Sequence, residues 1–397
     1  MRRDGSLPER FEFAGPLRMA ALLLCVAVAG CVNTQAQVLI GTELVSSTQS
    51  EIAAEHRIFV ATTRARSENP REVFDNSRSL SLSFARTDVT VPAIHTAGAI
   101  ERPKSGLRDP ARFFTASEVA TYDGEDAFVA DLAATIKARG GRALVFIHGY
   151  NTRFDDAVYR LTQLAHDAGY DGAPVLFTWA SGGRTVDYIY DRDSATVARD
   201  ALERTLRLVE EAGASRIDII AHSMGNWVTL EALRQLAITG DRDIDGKLGD
   251  VVLASPDVDV DVFKSQMKRY GIPDKPFFLM LSRNDRALNI SGIIAGNRPR
   301  LGEYTNDAEI ASYGVIVADV TALEAGDRTN HTKFADNPLL VRLLGERLRQ
   351  GDRLTETRDN LAERLNSLAT GIGQTAASAA DIVITTPVEV LETVTRQ

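Results

Sequence analysis

Between Ala143 and Ala318 the chain repeats one pattern: a short, continuously apolar run, then a polar turn, then a stretch with helical character. The runs are Ala143–Ile147, Pro174–Trp179, Ile217–Ala221, Asp250–Ala254, Phe277–Leu281 and Tyr313–Ala318. Helical stretches fall between them, ending near Ala168 and spanning Ser194–Ala212, Trp227–Ala237 and Val262–Tyr270. A strand with one wet face alternates apolar and polar residues, whereas a run that is apolar throughout must be covered on both faces. Such strands separated by helices specify an α/β chain with a mostly parallel, doubly wound sheet. Pro338–Arg349 reads as the closing helix.

Upstream the pattern changes. Arg57–Arg64 is a strand candidate, Ser79–Phe84 alternates serine with Leu or Phe, and Asp88–Val91 stops at Pro92. Period-two alternation implies one apolar face, so these segments are expected as antiparallel strands at the start of the sheet. Pro92–Tyr122, with two further prolines, reads as a loop, and Phe128, Leu132 and Ile136 mark one face of a helix over Asp126–Arg139. The globular domain is placed at residues 56–350. Residues 351–397 form a C-terminal tail, part helical (Leu354–Leu368) and part flexible, that is either mobile or packed on the domain.

The N-terminus carries a different signal. Arg2, Arg3, Arg10 and Arg18 precede Met19–Gly30, which is apolar or small throughout. That stretch is short of the roughly 20 residues a membrane-spanning helix needs and suits the hydrophobic core of a signal peptide. It ends in Val28-Ala29-Gly30-Cys31, which resembles the bacterial lipobox. Residues 1–30 are therefore read as a lipoprotein signal peptide, with Cys31 the lipidated residue. Residues 31–55 are read as the acylated cysteine and a Thr-, Ser- and Gln-rich flexible tether. The location expected is the bacterial envelope, lipid-anchored, with Val32 after the cysteine leaning towards the outer membrane.

Composition narrows the chemistry. A formal net charge of −9 argues against nucleic-acid binding, which needs a basic surface. Cys25 and Cys31 are the only cysteines, so no thiol remains downstream for a disulfide, a zinc cluster or a nucleophile. The histidines are scattered, with no His-x-x-x-His or Cys/His spacing, and neither metal nor cofactor is expected.

What remains is a serine. Ile217–Ala221 runs into His222-Ser223-Met224-Gly225-Asn226 and at once into a helix. Small residues two positions either side of Ser223 suit a sharp strand-to-helix turn that presents the hydroxyl at the end of a sheet. A serine hydroxyl needs a base, an orienting acid and an oxyanion hole, and in a doubly wound sheet these gather at the carboxyl ends of strands. His331, downstream of Ser223 in a loop before a helix, is the natural base. Asp285 follows the Phe277–Leu281 strand and is preferred as the acid over its rival Asp257, in Ser255-Pro256-Asp257. The amides of Tyr150, after His148-Gly149, and of Met224 are the oxyanion donors. His148 is read as a turn residue and His222 as packing or bonded to a neighbouring loop. Trp179 and Tyr188, in a loop expected over Trp179–Asp193, are the substrate-binding candidates.

Residues from about Arg57 to Arg349 resemble the α/β-hydrolase superfamily, and more narrowly a bacterial branch known as a domain of unknown function. The resemblance rests on Val60–Arg64, Phe146–Asn151, Thr178–Ser181, Tyr190–Ser194, Ala221–Asn226, Ser255–Asp257 and His331–Phe334. It implies the α/β-hydrolase fold and the triad Ser223, Asp285 and His331. Ala221 stands where the motif usually has glycine. The function expected is an esterase- or lipase-like serine hydrolase acting through an acyl-enzyme on a small-molecule or lipid ester. The alternatives are an acyltransferase or thioesterase with the same triad, or a non-catalytic envelope lipoprotein that keeps the fold.

Overall fold

The computed structural model describes residues 38–41, 43–103, 107–350 and 382–387. The signal peptide, Cys31 and the tail helix expected at Leu354–Leu368 lie outside the described residues. Among the described residues no helix is long and apolar enough to cross a membrane.

Strands are β1 (Glu43–Leu44), β2 (Ile52–Arg66), β3 (Phe74–Pro92), β4 (Leu107–Arg108), β5 (Thr115–Tyr122), β6 (Arg142–Ile147), β7 (Ala173–Thr178), β8 (Arg216–His222), β9 (Leu248–Ala254), β10 (Phe277–Leu281), β11 (Val315–Asp319) and β12 (Val383–Thr385). Helices are α1 (Glu125–Ala138), α2 (Phe154–Asp167), α3 (Tyr188–Glu211), α4 (Gly225–Thr239), α5 (Val260–Tyr270), α6 (Arg286–Ile294), α7 (Asp307–Ala311), α8 (Lys333–Asp336) and α9 (Pro338–Gln350). The main sheet runs β12-β11-β10-β9-β8-β6-β7-β2-β3-β5, while β1 pairs separately with β4. From β2 to β11 every neighbouring pair is parallel; β3, β5 and β12 are antiparallel to their neighbours.

The apolar runs do what their composition requires. Along β6, Ala143, Val145 and Ile147 enter one core with α1, α3, α4 and α5, while Leu144 and Phe146 enter the other with α2 and α9. Both faces of the parallel block are thus dry, and strand alternation sorts one continuous apolar run between two cores. β8 sits near the middle of the sheet, so its carboxyl end opens where loops from both sides converge.

Several boundaries differ from expectation. The two short antiparallel strands are one long strand, β3. The proline-bearing loop contains β5, which pairs with β3 on the sheet edge. The domain begins before residue 56, because β2 starts at Ile52, and Leu39, inside the expected tether, is buried with its carbonyl accepting from Tyr159 Oη at 3.1 Å. It also extends past residue 350, because β12 lies in the expected tail and adds to β11 with Ile384 buried.

Candidate active site

Ser223 lies between β8 and α4 with φ of +52°, a left-handed conformation that costs a non-glycine residue about 1–3 kcal/mol. The turn is held on all sides. Ser223 N donates to Ala254 O at 3.0 Å, and its carbonyl accepts from Asp257 N at 3.2 Å. Asn226 Nδ2 donates to both Ser223 O and Ala254 O. The geometry also explains the single missing glycine. A Cβ on Gly225 would lie 2.5 Å from His148 O and 2.7 Å from Ile147 O, so that flank must be glycine. Ala221 instead points its methyl into the core shared with α4, where a small side chain fits.

The expected acid and base are brought together. His331 Nδ1 donates to Asp285 Oδ2 at 2.7 Å, and its Nε2 makes no hydrogen bond among the described residues. Asp285 caps α6: its Oδ1 accepts from Ala287 N at 3.0 Å and Leu288 N at 3.1 Å. The loop bearing His331 is shaped by Asp327, whose Oδ1 accepts from His331 N, Thr332 N and Thr332 Oγ1. Lys333 Nζ spans Asn284 Oδ1 and Thr321 O, tying the Asp285 loop to the end of β11. Burial opposes protonation of His331, but the Asp285 hydrogen bond and the Asp285, Asp257 and Asp327 charges outweigh it and raise its pKa. Ser223 Oγ makes no hydrogen bond among the described residues, and Ser223 is only 2% exposed. Such nucleophile–base pairs often tighten only around substrate.

Asp257 belongs to a different network. Its carboxylate accepts from Ser291 Oγ at 2.8 Å and Tyr188 Oη at 3.0 Å, with Arg300 Nε at 3.2 Å. Burial drives its pKa up against these partners. It therefore links α6 to α3 and makes no hydrogen bond to His331 among the described residues.

The turns that carry the two expected oxyanion donors lie against each other. The β6–α2 turn is pressed against the elbow: a Cβ on Gly149 would lie 2.7 Å from Ser223 Cβ. Neither Tyr150 N nor Met224 N donates a hydrogen bond among the described residues, and Met224 is the N-cap of α4, where the helix dipole favours negative charge.

A buried relay holds that turn in place, with His148, the expected turn residue, as its inner member and Arg64, for which no role was expected, behind it. Arg64 is wholly buried and donates through Nε to Thr178 Oγ1 at 2.8 Å and through Nη2 to Thr152 O at 2.7 Å. Thr178 Oγ1 and His148 Nε2 are 2.8 Å apart, and His148 Nδ1 is 2.8 Å from Gly149 O. A carbonyl can only accept, so Nδ1 carries the proton and Nε2 accepts from Thr178. Burial, then the Arg64 charge, takes the His148 pKa to about 3, which keeps the ring neutral and unfit as a base. Asp191 completes the frame by accepting from Asn151 N, Ser181 Oγ and Gly182 N. The members of this relay, Arg64, His148, Thr178 and Asp191, all fall in the stretches that carry the family resemblance, which did not say that they touch.

His222 fills both roles open to it: its ring packs 4.7 Å from that of His331, and its Nε2 donates to His331 O at 3.2 Å. Trp179 is a correction. It is fully buried, stacked on His148, and donates to His148 O at 3.0 Å, so it supports the turn and offers no surface to a ligand. Tyr188 is not in a loop but opens α3; it is 6% exposed, packs edge-on to Tyr150 and bonds Asp257.

A family model described as an alpha/beta hydrolase of unknown function (DUF900) matches residues 124–347. No curated protein matches the chain. Among solved structures, one from a study of two fungal esterases of Rhizomucor miehei aligns over 76% of this chain and 85% of that chain, at 11% identity and a TM-score of 0.34.

Proposed function

This chain belongs to the DUF900 family of α/β hydrolases, and from that premise we propose that it is a serine hydrolase cleaving carboxylic esters, with Ser223, His331 and Asp285 as its triad. The observation that carries this reading is the 2.7 Å His331–Asp285 hydrogen bond, with His331 packed on His222, the residue that precedes a serine held at φ of +52°. In the reaction, Ser223 Oγ attacks the ester carbonyl while His331 Nε2 takes its proton. The tetrahedral oxyanion accepts from the amides of Tyr150 and Met224. Collapse breaks the bond to the alcohol oxygen, which receives the proton from His331, and water then repeats the sequence on the acyl-serine.

Exposed apolar side chains on α6 and at the head of α3 support lipid-like esters as the substrate class. Ile290, Ile293 and Ile294 on α6 are 57%, 60% and 50% exposed, and Val186 and Ile189 at the head of α3 are 69% and 51% exposed. Asp257 joins these two helices through Ser291 and Tyr188. We place the protein in the bacterial envelope, facing outer-membrane lipid, through acylation of Cys31, on the strength of Met19–Cys31 alone.

A fluorophosphonate probe should label the purified wild-type domain, and Ser223→Ala should lose all labelling. A well-folded wild type that stays unlabelled overturns the hydrolase reading. Cys31→Ser should move the protein from the membrane to the soluble fraction; unchanged partitioning removes the anchor.

A further inference from the structure

Three of the scattered histidines meet away from the serine. His56 on β2, His95 after β3 and His166 near the end of α2 form one half-buried group with Asp167, and ligand atoms of His95, His166 and Asp167 all lie within 4.8 Å of one another. We infer that His95, His166 and Asp167 bind one divalent transition ion, zinc by its affinity for imidazole and carboxylate, and that this ion clamps the segment after β3 onto α2.

Each proposed ligand has its outer polar atom already held. Glu101 Oε2 lies 2.8 Å from His95 Nδ1, which leaves Nε2 directed at Asp167 Oδ1, also 2.8 Å away. Glu101 is itself fixed by Thr96 N at 3.2 Å. Asp167 Oδ2 accepts from Gly98 N at 2.8 Å and Gln163 Nε2 at 2.6 Å, so Oδ1 is the oxygen left to face His95. His166 Nδ1 lies 3.2 Å from His56 Nε2. If His166 Nδ1–H donates there, its Nε2 is left unprotonated. Metal-binding histidines are typically oriented in this way, with the far ring nitrogen donating to a carboxylate or another acceptor. Zinc takes imidazole and carboxylate ligands at about 2.0–2.2 Å in a four-coordinate shell, so an ion between His95 and Asp167 needs only a small separation of atoms now 2.8 Å apart. Water would fill the fourth position, and the ion would replace the proton that otherwise joins His95 to Asp167.

The clamp reaches the catalytic loop through packing. Gln163 Nε2 also donates to Ala335 O at 3.0 Å, and a Cβ on Gly98 would lie 2.2 Å from Asp336 O. Both contacts are with α8, which directly follows His331 and Thr332.

The test uses full-length protein without a histidine tag, stripped with chelator and titrated with Zn²⁺ by calorimetry and thermal melting. One ion should bind per chain and raise Tm. Glu101→Gln should weaken binding about 10–100-fold, and His166→Ala should weaken it further. His166→Ala leaves the His95–Asp167 contact intact, so it separates a metal site from a proton-bridged ion pair. Folded wild type that binds no Zn²⁺, or His166→Ala that binds with unchanged affinity, overturns the proposal. Fluorophosphonate labelling of the stripped protein reads the serine site independently of either result.

Discussion

Asp285 divides its two oxygens between a helix cap and an imidazole, and Asp257 makes neither contact. In Asp285→Asn the amide oxygen can still cap α6, which turns the NH₂ towards His331 Nδ1. That nitrogen must then accept, the ring proton moves to Nε2, and the base is lost. We expect kcat to fall about 10⁴-fold, whereas Asp257→Asn, which disturbs the Ser291–Tyr188–Arg300 network and removes one of the charges acting on His331 but not its hydrogen bond, should leave most of kcat intact. Steady-state kinetics on a p-nitrophenyl ester compares the two, and an equal loss would refute the assignment of the acid. The pH profile gives a second reading. His331 accepts a proton only when neutral, and its pKa is raised, so kcat/KM should fall as pH drops through a value above the ordinary histidine pKa of about 6.5. With the Asp285 charge removed, burial dominates and the residual activity should show that limb shifted to lower pH. These residues were legible because strand ends must collect the reacting groups and the chain offers His331 as its one histidine after Ser223. Trp179 and Arg64 were not, because a motif places a residue in the chain without saying which way its side chain turns.

Elements were legible in proportion to how fully they are buried. β6 to β11 read directly, because two dry faces leave runs that are mostly apolar, with buried Thr178, Asp218, Asp250 and Asp319 as the exceptions. β5, Thr-Ala-Ser-Glu-Val-Ala-Thr-Tyr, sits on the sheet edge with much of its length exposed, so neither alternation nor continuous apolarity marks it. The head of α3, Tyr188-Ile-Tyr-Asp191, carries β-favouring residues and becomes helical where Tyr188 and Asp191 are drawn inward to Asp257 and to the Ser181–Gly182 loop. β12 was missed for a third reason: a three-residue strand has no period to detect, and only its docking against β11 defines it. That docking is testable. Ile384 is 4% exposed and packs in the core beneath α2 and α9, so Ile384→Ala should lower stability by about 2 kcal/mol, the low end for a buried isoleucine because the strand lies at an edge. The urea midpoint measures it, and an unmoved midpoint would mean that β12 does not pack on β11 in solution.

For the whole molecule, the chain must close its sheet with a helix contributed late in the sequence, and α9 is fixed by two kinds of force. Leu339, Leu340, Leu343, Leu344 and Leu348 supply apolar burial. Arg347 supplies charge: its Nη2 lies 2.9 Å from Asp250 Oδ1, inside a group where Arg216 Nη2 reaches Asp250 Oδ2 at 2.6 Å and Lys275 Nζ reaches Oδ1 at 3.2 Å. Asp250 is fully buried at the amino half of β9, so α9 is tied to the end of the sheet opposite the serine. Removing one member of an isolated buried pair costs about 3–5 kcal/mol, because the remaining charge is orphaned. Here Asp250 keeps two cations, so Arg347→Ala should cost less, nearer the 1–3 kcal/mol of a lost charge-assisted contact. Asp250→Asn alone should cost more, since it removes the carboxylate that Arg216, Lys275 and Arg347 share, of which Arg216 keeps its ion pair with Asp218 at 2.8 Å. The effects should be far from additive: in the Asp250→Asn background, removing Arg347 relieves repulsion, and its cost should shrink by about 1–3 kcal/mol. Urea unfolding of the two single variants and the double variant closes the cycle. Strict additivity would show that the leucines alone hold α9 and that the buried charges at the foot of the sheet do not couple its last helix to its centre.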